Sequence, residues 1–208
     1  GDHRDLHLSL RRQRQMCIRD RLLVGLGNPG QKYLKNRHNI GFTAIEKIAS
    51  YYKFSKFQKK FRGKISEGKI SGQKIIMLKP ETFMNESGIA VQAIKSFFKI
   101  NCKKIVVLHD DIDLALYQIK IKCGGGHAGH NGIKSIDKLI GKEYWRIRLG
   151  VGRPEEKEQV NKYVLSNFQD SEEEKYDAIL DSVVAVMPEL INGDQAAFAK
   201  EIAKKLTS

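Results

Sequence analysis

The chain has 208 residues, 41% of them hydrophobic and 29% charged. That length suits one domain with a core large enough to fold unaided, and the composition excludes an intrinsically disordered chain. No apolar run approaches the ~18 residues of a membrane span; 75–78 and 105–108 are short, strongly apolar runs. Three cysteines (Cys17, Cys102 and Cys123) without a CxxC spacing argue against a disulfide framework or a zinc site and for a reducing, cytoplasmic setting.

The net charge is +13 and unevenly spread. Residues 1–21 carry six arginines against three aspartates, and residues 171–208 carry eight acids against four lysines, so +14 falls on residues 22–170. A basic body with an acidic C-terminal end points to a polyanionic partner, nucleic acid first. A lysine-rich, solvated surface is the plainer explanation.

Residues 1–20 show neither a sustained period nor a signal-peptide core. They read as a disordered or non-native N-terminal extension, with a short basic RNA-binding arm as the alternative and Met16 as a natural start. The remainder, residues 21–208, reads as one domain. A buried-strand run at 22–26 ends in the turn cluster Gly27-Asn28-Pro29-Gly30. Ile40, Ala44, Ile45, Ile48 and Tyr52 recur at helical spacing and predict a helix over about residues 39–52. Residues 64–70 and 74–78, split by Ser71-Gly72-Gln73, read as a hairpin, and Ile89, Ala93, Ile94 and Phe97 mark a second helix.

A buried strand at 105–108 runs into His109-Asp110-Asp111, and residues 117–123 alternate strictly, with Lys120 and Lys122 on one face. Gly124–Gly126 breaks that strand, 133–140 is a short helix, and the strand at 145–151 puts Arg146 and Arg148 on one face. The C-terminal third is helical, with Pro188 expected to kink or divide it. The alternation predicts an α/β fold: one domain with a twisted, mixed but mostly parallel sheet and helices on both faces.

Several motifs carry chemistry. Gly25-Leu26-Gly27-Asn28-Pro29-Gly30 matches a dinucleotide fingerprint only formally, because Pro29 lacks the N–H a pyrophosphate needs. His38, in Arg37-His38-Asn39, falls at a loop–helix junction, where a surface or capping role competes with a catalytic one. Asp110 emerges at a strand's C-terminal end, where open α/β sheets place ligand crevices. There it can hold a histidine's Nδ1–H and keep the other nitrogen basic, whereas turn formation or helix capping would explain Asp110 and Asp111 more simply.

The glycine-rich 124–132 loop contains His127 and His130. With Asp110, Asp111 and Asp113 these make a weak metal signature. Asn85, in Lys79-Pro80-Glu81-Thr82-Phe83-Met84-Asn85-Glu86-Ser87-Gly88, is placed to cap the following helix. The cation pairs flanking the glycine loop suit phosphate clamping.

In order and spacing, GLGNPGQKY, RHNIGF, KPETFMNESG, HDDIDL, GGGHAGHNGIKSI, RIRLGVGRP and YVLSNF resemble the bacterial peptidyl-tRNA hydrolases over residues 22–200. The resemblance implies hydrolysis of the ester between peptide and tRNA, with His38 as general base for water and Asp110 orienting it. Asn28 would read the adjacent peptide bond, and Asn85 and Asn131 would hold the peptide and the reacting carbonyl or water. Tyr33 and Phe83, with Met84 beside them, would line the channel for the acceptor end. Lys122 and Arg148 would clamp tRNA phosphate.

The resemblance also implies no metal, no cofactor, no membrane and no obligate protein partner, so a monomer acting on the acceptor stem and 3′ end of peptidyl-tRNA. The sequence departs from the family pattern at Asn36, Ala115 and Tyr117, where Thr, Pro and Gly are usual. The rival readings are a non-catalytic RNA-binding relative of the same fold, a nicotinamide-dependent oxidoreductase and a hydrolase of small N-acyl esters.

Overall fold

A computed structural model describes residues 21–207; the expected N-terminal extension, residues 1–20, and Met16 with it, lies outside them. Seven strands form one sheet: β1 (Arg21–Gly25), β2 (Gln58–Lys60), β3 (Gly63–Ile70), β4 (Gln73–Pro80), β5 (Ile105–Asp111), β6 (Ile119–Cys123) and β7 (Trp145–Gly150), in the order β2-β3-β4-β1-β5-β7-β6. The pairs β1–β4, β1–β5 and β5–β7 are parallel, and the flanking strands β2, β3 and β6 pair antiparallel. The sheet is therefore mixed with a parallel centre.

The six helices among the described residues are α1 (Ile40–Tyr51), α2 (Ser87–Phe97), α3 (Asn131–Ile140), α4 (Val160–Val164), α5 (Asp170–Asn192) and α6 (Gln195–Thr207). Strand period sorts the core into two layers. Leu23, Ile75, Met77, Val106 and Leu108 pack with Ile45 and Ile48 of α1 and with Leu180, Val183 and Met187 of α5. Their chain neighbours Leu22, Val24, Ile76, Leu78, Ile105 and Val107 face the other side, against Val91 and Ile94 of α2 and Ile133 and Ile136 of α3. Central strands buried on both faces require the unbroken apolar runs read in the sequence.

The connection after β1 leads toward β4 on one side, and the one after β5 leads toward β7 on the other. The switch point therefore lies between β1 and β5, where a crevice opens at the strands' C-terminal ends. Helix α1 closes against that end at backbone distance. A Cβ on Gly25 would sit 2.3 Å from the Gly41 carbonyl oxygen, and one on Gly41 would sit 2.4 Å from the Leu108 oxygen. In the first motif, Gly25 serves this contact, Gly27 leaves room for the Phe42 ring of α1, and Gly30 takes a left-handed φ of +112°.

Three expectations need correction. Strand β6 begins at Ile119, because Tyr117 adopts φ +70° and donates its N–H to the Gly150 oxygen at 3.1 Å. That left-handed backbone explains why glycine suits the position. Helix α5 runs through Pro188 and ends at Gly193, φ +90°, so the proline does not divide it. Asn85 does not cap α2: Glu86 holds the N-cap position, with no side-chain cap.

Gly41→Ala should destabilise the fold toward the upper end of the ~1–3 kcal/mol typical of overpacking, because every close neighbour of the new methyl is backbone. The urea midpoint measures this, and an unchanged midpoint would contradict the close approach.

Candidate active site

Asn28 lies just past β1, where it lines a cavity with Asn39 and Phe42 that is separate from the one His38 lines, and its backbone is held by one side chain. Its N–H donates to Asn39 Oδ1 (2.8 Å), while Asn39 Nδ2 donates to the Asn28 oxygen (2.9 Å). Asn28 Oδ1 accepts the Met84 N–H at 3.0 Å, and Nδ2 has no hydrogen-bond partner among the described residues.

His38 lies in a short 3-10 turn, Arg37–Asn39, that runs into α1. It is buried, at 8% exposure, not a surface or capping residue. Its Nδ1 lies 2.8 Å from both oxygens of Asp110, itself 2% exposed near the end of β5. His130 brings a second ring to the same carboxylate, Nε2 to Oδ1 at 3.0 Å. Its Nδ1 accepts the N–H groups of Gly132 (3.1 Å) and Ile133 (3.3 Å) and so caps α3. An accepting Nδ1 assigns the proton to Nε2, so His130 is a neutral donor to Asp110. His38 Nε2 makes no hydrogen bond among the described residues, and the ring lines a cavity of about 290 Å³ with Asn131, Asn161 and Val164.

These contacts shift the titrations. Burial opposes charge on His38, but the Asp110 charge and hydrogen bond outweigh it and raise its pKa above the ordinary 6.5. Burial would raise Asp110, yet the two histidines hold it well below the usual carboxylate range. His109 is pushed down to about 3 by burial and then by His130.

The model of the peptidyl-tRNA hydrolase family matches residues 22–208. The chain belongs to that family. It is 49% identical to the peptidyl-tRNA hydrolase of Ruegeria pomeroyi over 88% of this chain and 77% of that one, and 45% identical to that of Rhodospirillum centenum over 88% and 81%. A solved peptidyl-tRNA hydrolase from Acinetobacter baumannii superposes with a TM-score of 0.85 at 35% identity, covering 88% of this chain and 94% of the other.

Of the residues singled out in the sequence, the fold brings His38, Asp110 and Asn131 to one cavity. Asn131 also faces Asn85 across a groove that Lys134 and Lys138 line. Tyr33, half-buried, and Phe83, 63% exposed, lie outside the His38 cavity. Met84 is corrected: its side chain is 5% exposed in the core, so it meets the site through its backbone N–H.

Lys122 and Arg148 line a second cavity of about 290 Å³ with His109 and His127. Arg148 Nε donates to Asp111 Oδ2 at 2.6 Å, leaving its Nη groups unengaged among the described residues. Arg146, on the same face, also lines this cavity, but its guanidinium is buried on Asp137 and the Gly126 oxygen (2.8 Å each) and holds the glycine loop. Asp111 also accepts the Asp113 N–H at 2.9 Å.

His38, Asp110 and His130 are the grouping among the described residues with metal-ligand spacing, within 4.8 Å, and it excludes His127 and Asp113. Both ring nitrogens facing Asp110 act there as N–H donors, so the set is built to hold protons. Sequence reasoning passed over Asn39 and the role of His130. The adjacency of Asn39 to His38, and the position of His130 immediately before a helix, were the available signals.

Because folded His109 refuses a proton that the unfolded chain accepts at 6.5, stability should fall as pH drops from about 6.5 toward about 3. His38 acts in the opposite direction: its contribution is full below 6.5 and is lost as pH rises through its raised value. His109→Gln should flatten the acid decline, read from urea midpoints at pH 7 and 4.5; an undiminished decline would assign it to other groups.

Proposed function

We propose that the chain cleaves the ester joining peptide to the 3′-terminal ribose of tRNA, with His38 as general base. His38 Nε2 takes a proton from water as its oxygen attacks the ester carbonyl, and returns it to the ribose oxygen as the ester bond breaks. The peptide leaves as a carboxylic acid, which loses its proton to solvent water to give the carboxylate, and the tRNA regains its 3′ hydroxyl. Asp110 fixes the Nδ1–H tautomer and stabilises the transient imidazolium. The observation that carries this reading is the buried His38–Asp110 contact at 2.8 Å, with Nε2 turned to a cavity shared with Asn131. An ester leaves readily enough that a base and water suffice, so the scheme uses neither metal nor covalent nucleophile.

Asn28 reads the peptide bond beside the ester. Its Oδ1 is already committed to Met84, so it offers Nδ2 to the substrate carbonyl. Asn131, with Asn85 across the neighbouring groove, holds the peptide and the reacting carbonyl or water. Tyr33 and Phe83 receive the acceptor end, and Phe83's exposure suits stacking on a base. Lys122 and the free Nη face of Arg148 clamp backbone phosphate on the acceptor stem. The protein is read as a cytoplasmic monomer; no helix among the described residues is long and apolar enough to cross a membrane.

Release of N-acetyl amino acid from acetyl-aminoacyl-tRNA tests the scheme. His38→Ala should lose ~10²–10⁴ of the rate while tRNA affinity stays nearly native. A folded His38→Ala protein with native turnover would remove the base assignment, and a folded native chain that binds tRNA without releasing product would favour the non-catalytic reading. Since neutral His38 is the active form, activity should fall as pH drops through its raised pKa. Asp110→Asn should move that acidic limb to lower pH as well as slowing turnover. Lys122→Ala with Arg148→Ala should weaken tRNA binding and reduce the salt slope by about 2.

A further inference from the structure

The residue before the base is a buried arginine that no step of the reaction uses. Arg37 is 6% exposed, and its guanidinium lies between the rings of Tyr163 and Phe168, 4.7 and 4.8 Å from their centroids. Nη1 and Nη2 donate to the two oxygens of Glu172 at 3.1 and 2.8 Å. The backbone on either side is stitched to the same stretch of chain. Arg37 N–H donates to the Ser166 oxygen (3.0 Å), Phe168 N–H donates to the Lys35 oxygen (3.1 Å), and Asn36 bridges Asn167 with Nδ2 on its Oδ1 at 2.7 Å. The stretch is anchored in turn, by Tyr163 Oη on the Val151 oxygen and by the Glu172 capping box of α5. Val160, Asn161 and Val164 of the same stretch line the His38 cavity.

We propose that Arg37 is a positioning residue for His38, and that through Tyr163, Phe168 and Glu172 it ties the reach of the base to the cavity wall formed by residues 160–164. His38 sits between two anchors. Asp110 fixes its ring at Nδ1, and the Arg37 fork fixes the turn from which the side chain departs. A planar guanidinium can stack between two rings and bind a carboxylate through two parallel bonds, which a lysine ammonium cannot do. Displacing a catalytic group by about 1 Å costs on the order of 10²-fold in rate, so loosening the turn should appear in the chemical step. This inference rests on the reading of His38 as the base.

The test compares Arg37→Lys, Glu172→Gln and His38→Ala with the native chain in steady-state release of N-acetyl amino acid from acetyl-aminoacyl-tRNA, alongside tRNA binding and thermal unfolding. Glutamine at 172 retains the capping-box acceptor and removes the charged two-point partner. Arg37→Lys and Glu172→Gln should each lower kcat by about tenfold or more with KM and tRNA affinity within about twofold of native, in protein fully folded at the assay temperature. Folded Arg37→Lys or Glu172→Gln protein with native kcat, or a loss confined to KM or matching the unfolded fraction, would overturn the proposal. Should Arg37→Lys fail to fold, Glu172→Gln decides alone. An inactive His38→Ala beside a native-like Arg37→Lys would sink only this inference, whereas an active His38→Ala would sink the base assignment and this inference with it.

Discussion

A carboxylate buried at the end of a central strand is a liability unless charge and hydrogen bonds compensate its lost hydration. At Asp110 the compensation comes from His38 Nδ1 and His130 Nε2, which arrive on different segments. The 3-10 turn before α1 has to close over β5 to deliver His38, and the glycine loop has to end where α3 begins to deliver His130. The close glycine contact of α1 with β1 and β5, and the hold of Arg146 on the loop carbonyls, are what let those segments reach. Helix packing and titration behaviour therefore depend on one buried anion.

The same anion divides labour between two histidines. His130 uses its second nitrogen to cap α3, so its tautomer is fixed and it serves as a donor. His38 leaves its second nitrogen to the cavity. His109, one residue earlier on the strand, donates Nδ1–H to the Asp110 carbonyl oxygen at 2.7 Å, and burial keeps it neutral. The His130 ring thus lies between the other two, its centroid 4.8 Å from that of His38 and 4.9 Å from that of His109, and the three imidazoles differ in what their nitrogens face.

The layered fold was legible because its signals are local and periodic. The runs at 22–26 and 105–108 and the helical spacing of Ile40, Ala44, Ile45 and Ile48 correspond to β1, β5 and α1. Asn28, His38 and Asp110 stand out as polar residues at the ends of such elements. What the sequence hid depends on distant pairing. Asn39 looks like an ordinary loop–helix residue until β1 brings Asn28 beside it. Arg37 and Glu172 are 135 positions apart, and the cation-pair reading of β7 could not tell Arg146, buried on Asp137, from Arg148, open at its Nη face. Met84 sits in a motif with Phe83 and Asn85, yet its unbranched side chain fills the core while its N–H reaches the site.

Charge follows the same geometry. Arg148 stands on β7, next to the strand that carries Asp110, Lys120 and Lys122 stand on β6 beyond it, and on the other side of β5 Asn28 follows the end of β1. The register puts Lys120 opposite Arg148 and Lys122 opposite Arg146, so cations from two strands share one face. Asp111 lines both the cavity beside this face and the one that His38 lines, and its bond to Arg148 Nε orients one of those cations. Two acids of α5 are paired as well, Glu172 with Arg37 and Glu173 with Lys35, so α5 braces the turn that carries His38 while Asp111 orients Arg148.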